Sequence, residues 1–252
     1  MNSPSLNQRL CNITTLWSLV INAHEGPAEA ARAAQQQLLE RYGGAIRRYL
    51  LASLRDEEFA DELYNEFAYR FVRGDYRNVN PERGRFRDYV KTVVAHLISS
   101  HQKQRRRLPQ SLEQDHAEPA VEGSLNLEDD QAFLESWRKE LLARAWANLE
   151  RDQAVSGQPY YTVLRFRSDN PTAPSPQVAE GLSAQLGRPV TAAGARQMLH
   201  RAREKFADIL VEEVAHSLKN ATAEQLAQEL MDIGLYQHCR VALERREGER
   251  GA

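Results

Sequence analysis

Apolar positions recur along most of this 252-residue chain at intervals of three and four, the repeat of a helix buried along one side. In ERGRFRDYVKTVVAHLISSHQKQRRR, residues 82–107, the residues Phe86, Tyr89, Val90, Val93, Val94 and Leu97 share such a stripe, and Lys103, Arg105, Arg106 and Arg107 crowd the end. Alternating strand patterns are short, PYYTVLRF at 159–166 being the best of them, so the predicted fold class is all-α.

The same reading divides the chain into pieces. Thr14 or Thr15 caps a short helix that ends at Gly26-Pro27, and a second helix runs from about Glu29 until Gly43-Gly44 bends or breaks it. Asp56 caps a third, with Ala60, Leu63, Tyr64, Phe67 and Phe71 inward. The loop RNVNPERG then leads into the stripe above, giving a first domain over residues 1–108. Between Ser111 and Glu135 there are eight acidic residues and no Lys or Arg, which predicts an acidic flexible linker over 109–131. A second domain over 132–218 opens with a helix carrying Phe133, Trp137, Leu141 and Leu142.

Within that second domain the spacing predicts a helix-turn-helix. Val178, Leu182 and Leu186 bury the first helix, Gly187 to Val190 turn the chain, and Thr191 caps a long helix running to about Leu218. Ala195, Met198, Leu199, Ala202 and Phe206 face inward, leaving Arg196, Gln197, His200, Arg201 and Arg203 largely outward, a pattern suited to a major groove. Arg203 is also placed to pair with Glu180 or Glu204. A C-terminal helical extension, 219–252, starts from a capping box at Thr222 and Gln225 and stops at Gly234; it either packs back on the second domain or acts as a regulatory element.

Charge and composition narrow the function. The net charge of −2 excludes a globally basic protein, so a nucleic-acid surface must be a local patch. Two distant cysteines, Cys11 and Cys239, fit neither a disulfide framework nor a zinc site and point to a reducing, cytoplasmic setting. No apolar run approaches the roughly 20 residues of a membrane helix, and the start lacks the order of a signal peptide. Glu62 and Glu66 lack a histidine on their face, and His96 and His101 do not share one, so no metal or other cofactor is expected. Without a GxSxG elbow, a P-loop or a Cys paired with His, the expectation is a binding protein rather than an enzyme.

Two segments resemble the sigma-70 family of bacterial RNA polymerase initiation factors, specifically the extracytoplasmic-function type. ADELYNEFAYRFV (60–72), NPERGRFRDYV (80–90) and AHLISSHQKQRRR (95–107) are similar, in order, to parts of that family's region 2. VTAAGARQMLHRAREKFADIL (190–210) resembles its region 4 recognition helix, and TTLWSLVINAHEG resembles the start of a longer subgroup. The resemblance implies a protein that binds core RNA polymerase and promoter DNA, with domain one on the -10 element and domain two on the -35 element. It implies that Asp61, Glu62, Asn65 and Glu66 dock on the polymerase, where acidic groups can meet basic partners. It implies that Lys91, His96, Ser99, Ser100, Gln102, Lys103, Arg105, Arg106 and Arg107 face DNA at -10. His96 and Ser100 stand where the family often has Asn and Asp, so its preferred promoter sequence does not carry over. Thr191, Arg196, Gln197, His200 and Arg201 are the expected -35 contacts. The linker either threads the polymerase channel or is a plain tether, and an anti-sigma or other regulatory protein is a further candidate partner. The rival reading is a stand-alone helix-turn-helix regulator that never binds polymerase.

Overall fold

The structure is a computed structural model that describes residues 27–75, 85–107, 127–218 and 221–251. The expected helix at 14–25, the loop at 76–84 and the acidic stretch 108–126 lie outside them. Every regular element among the described residues is an α-helix. These are α1 (Ala28–Leu54), α2 (Glu57–Arg73), α3 (Phe86–Arg107), α4 (Leu127–Ser156), α5 (Tyr160–Asp169), α6 (Ser175–Leu186), α7 (Ala192–His216), α8 (Ala223–Asp232) and α9 (Tyr236–Gly251). PYYTVLRF is therefore helical, burying Val163 in α5. The chain forms two compact units, and the division falls inside α4, between Glu140 and Leu141.

In the first unit α1 packs on α2, and α2 on α3. α2 is capped as its sequence dictates: the Asp56 carboxylate accepts from the Phe59 amide at 3.1 Å, and Gly74 closes the helix at φ 85°. Ala60, Leu63, Phe67 and Phe71 are its buried face. α1 runs unbroken through Gly43 and Gly44, contrary to the expected bend. Both glycines serve close approach instead. A β-carbon at Gly43 would overlap the Tyr64 hydroxyl, and one at Gly44 would stand 2.6 Å from the Glu140 carboxylate.

The start of α4 also differs from expectation. The helix begins at Leu127, so residues 127–131, expected in the linker, are its first turn, and Phe133 and Trp137 belong to the first unit. Their partners are the reason: Trp137 stacks on Tyr42 with centroids 4.6 Å apart, and Phe133 meets the edge of Tyr49 at 5.1 Å. Trp137, Phe133, Tyr42 and Tyr49 are each at most 2% exposed. Each such aromatic removes roughly 150–250 Å² from water, an apolar gain that overrides the polar sequence just before it.

The second unit is built around α7, which contacts α5, α6, α8 and α9. Leu141, Ala145 and Leu149 of α4 are buried there, and Glu213 of α7, 3% exposed, accepts from Arg144 Nε at 2.9 Å and Asn148 Nδ2 at 2.7 Å. α5 and α6 approach closely because Gly181 leaves room for the Phe166 ring. The C-terminal extension packs back on this unit. α8 has the expected capping box, and Leu226, Leu230, Leu235, Cys239, Ala242 and Leu243 are buried.

Candidate nucleic-acid interface

The helix-turn-helix is set by three local devices. Gly187 ends α6 in the left-handed region at φ 63°, which a side chain would resist. Ser183 Oγ then accepts from the Val190 amide at 2.9 Å while donating to the Ala179 carbonyl at 2.7 Å, fixing the turn to the helix before it. Thr191 Oγ1 accepts from the Gly194 amide at 3.0 Å and starts α7. Behind them Val163, Val178, Ala179, Leu182, Ala195 and Ala202 form one buried cluster.

With Ala195 and Ala202 inward, the 3.6-residue repeat sends positions 196, 197, 200 and 201 to the opposite face. Thr191, Arg196, Gln197, His200 and Arg201 are all exposed. Arg196, Gln197, His200 and Arg201 therefore share one exposed face, Thr191 is exposed where the helix starts, and the two arginines are forked guanidinium donors able to meet phosphates or base edges. Arg203 is exposed too, and Glu204 is engaged elsewhere, within 3.8 Å of His200 Nε2 and 3.5 Å of an Arg245 guanidinium nitrogen. Arg245, from α9, also holds Asp208 at 2.9 Å. Sequence reasoning missed Arg245, whose partners lie 37 and 41 positions away.

In the first unit, Glu62, Asn65 and Glu66 of α2 and Ser100 of α3 line a groove of about 580 Å³. Tyr69, Arg70 and His101 line it as well, and none of the three was expected from the sequence as a docking or DNA-facing residue. Tyr69 stands four positions after Asn65 and was legible by helical spacing. His101 packs edge-on against Phe59 at 4.3 Å and lies 4.0 Å from Glu62. Asp61 is not part of this groove. It takes two hydrogen bonds from Arg47 of α1, at 2.5 and 2.9 Å, and the neighbouring guanidinium holds its carboxyl below the usual carboxylate range. Glu66 accepts from Arg70 at 2.5 Å.

The expected -10 set splits in a similar way. His96, Ser100 and Lys103 are exposed, and Ser99 and Gln102 are half-buried. Lys91 instead pairs with Asp130 at the start of α4, with its side chain 20% exposed. Arg105, Arg106 and Arg107 form the last turn of α3, and their side chains lie outside the described residues. Among the described residues no cluster of His, Cys, Asp or Glu could hold a metal ion, and no helix is long and apolar enough to cross a membrane. Comparison with known protein families, curated proteins and solved structures finds no match.

Proposed function

We propose that the chain is a sigma factor of the extracytoplasmic-function type, acting in the cytoplasm to bind core RNA polymerase and direct promoter-specific initiation. The observation that carries this reading is the face of α7 on which Arg196, Gln197, His200 and Arg201 stand exposed after the Thr191 cap, in a chain whose motifs follow the order of region 2 and region 4. In this reading α7 enters the major groove at -35, phosphate contacts set its register, and Arg and Gln read base edges. α3 serves the -10 element, where melting requires bases to be held out of the stack while cations hold the phosphates. Glu62, Asn65 and Glu66 dock the polymerase, and no residue is assigned a catalytic role.

The test is to mix the purified chain with core polymerase and genomic promoter fragments and to sequence transcripts at their 5′ ends. Start sites sharing upstream elements are the expected result. A folded chain that binds promoter DNA but not polymerase would overturn it in favour of a stand-alone regulator. One observation favours that second reading: Asp61 and Glu66 already have cationic partners within the chain, Arg47 and Arg70. The readings part at Glu62, whose side chain is 67% exposed: Glu62→Arg should abolish polymerase binding by a sigma factor and be tolerated by a regulator.

A further inference from the structure

The second unit holds a cavity of about 620 Å³ that the recognition surface does not use. Its walls include Trp146, Leu164, Phe206 and Leu210, so the lining is mainly apolar. Arg167, Arg203 and His238 reach the cavity, Ser168 adds a hydroxyl, and among the described residues no Asp or Glu lines it. The volume lies in the roughly 300–1,000 Å³ span of sites for small organic ligands, where an apolar body is gripped by shape and a few polar groups fix its orientation.

We infer that this cavity binds a small organic anion with an aromatic body, of the arene carboxylate or sulfonate class. The ring would sit among Trp146, Phe206 and the aliphatic walls, and the anionic group would meet Arg167 and Arg203. Two features are organised before any ligand arrives. Arg167 donates from Nη1 to the Ala173 carbonyl at 2.6 Å, which orients its planar fork. Trp146 is held between the edge of Tyr161 at 5.9 Å and Phe206 at 5.0 Å. A neutral ligand would make no use of the remaining guanidinium donors of Arg167 and Arg203, and a hydrophilic anion would waste the apolar walls.

The C-terminal extension completes the site, since Leu235 and His238 belong to α9 and the turn before it. The cavity also shares α7 with the exposed arginine face: Arg203 lies two residues beyond Arg201. An anion held here would act on the helix proposed to read DNA, a consequence that rests on that proposal, whereas ligand binding itself does not.

The test uses the full chain without DNA and two fluorescent probes: 8-anilinonaphthalene-1-sulfonate, an aromatic sulfonate, and N-phenyl-1-naphthylamine, its uncharged relative. The expected result is saturable binding of one sulfonate per chain, weakened about tenfold or more by Arg167→Ala with Arg203→Ala. The uncharged probe should be indifferent to that double substitution, and Ala207→Trp, which projects an indole into the cavity from its lining, should weaken binding of both. Circular dichroism establishes that each variant is folded, and the double arginine variant decides the matter if Ala207→Trp does not fold. No binding, binding of several probes per chain, or equal sulfonate affinity without the two arginines would overturn the assignment.

Discussion

Glu213→Ala should be among the most damaging single substitutions in the second unit. Glu213 is 3% exposed on α7 and accepts hydrogen bonds from two residues of α4, Arg144 and Asn148. Removing one member of a buried ion pair costs about 3–5 kcal/mol, because the survivor keeps its desolvation without its partner. The Arg144 side chain is 22% exposed and recovers some water, which puts this part near 3 kcal/mol. The missing acceptor for Asn148 adds about 1 kcal/mol, for a total of about 4 kcal/mol. Lys205 and Asp152 join the same two helices by an ion pair whose side chains are 32% and 30% exposed. Asp152→Ala should cost at most about 1 kcal/mol, since water screens that pair and solvates whichever member is left. The assay is the urea dependence of amide hydrogen exchange in peptides from α7, which reports the opening energy of this unit whatever the other does. The double variant Glu213→Ala with Arg144→Ala should be destabilised by less than the sum of the two single effects. Additive effects, or a Glu213→Ala cost no larger than that of Asp152→Ala, would refute the reasoning.

Replacing Arg196 and Arg201 by Ala should lower the slope of log affinity against log salt for promoter DNA by about 1.8, near 0.9 for each phosphate that an arginine had neutralised. An unchanged slope measured by fluorescence anisotropy would count against the proposed role of this face in DNA binding. Because Arg47 depresses the carboxyl of Asp61, the pair contributes stability above the usual carboxylate range that is lost as pH falls through the folded-state value. The stability gap between wild type and Arg47→Met should be flat above about pH 5 and close on acidification; a gap that widens there would be inconsistent. Burial and the charge of Asp208 push the Cys239 thiol up to about 12, so in a Cys11→Ala background a thiol reagent at about pH 8 should label it only as fast as the unit opens. Truncation after Leu218 should bare the α7 surface that α8 and α9 cover and lead to aggregation, read by light scattering, whereas a dispensable tail would leave the unit monomeric.

Signals confined to a few neighbouring residues could be read directly from the sequence. Asp56, Thr191 and Thr222 cap helices because each serves an amide three positions on, and Ala195 and Ala202 face inward because a seven-residue step returns to the same face. Signals that depend on distant partners could not be. Gly43-Gly44 has the composition of a break, and only Tyr64 and Glu140 turn it into a contact. Trp137 fits either neighbouring unit by periodicity, and Tyr42 decides between them. Asp61 and Lys91 look like solvated charges ready for a partner, yet Arg47 and Asp130 hold them, each across a span no helical repeat encodes. The exposed face of α7 was legible because exposure there follows from the local repeat alone.

The glycine pair in α1 also bears on the order in which the first unit forms. Two adjacent glycines weaken a helix interior by about 2 kcal/mol relative to alanine, so α1 is a poor helix by itself despite its 27 residues. Its continuity depends on contacts made at the point where it is weakest, with Tyr64 on α2 and with Glu140 on α4. A nascent chain would thus carry α1 as two fluctuating halves until residue 140 had been made, more than half of the 252-residue sequence. The unit that comes first in the chain is bound to mature late.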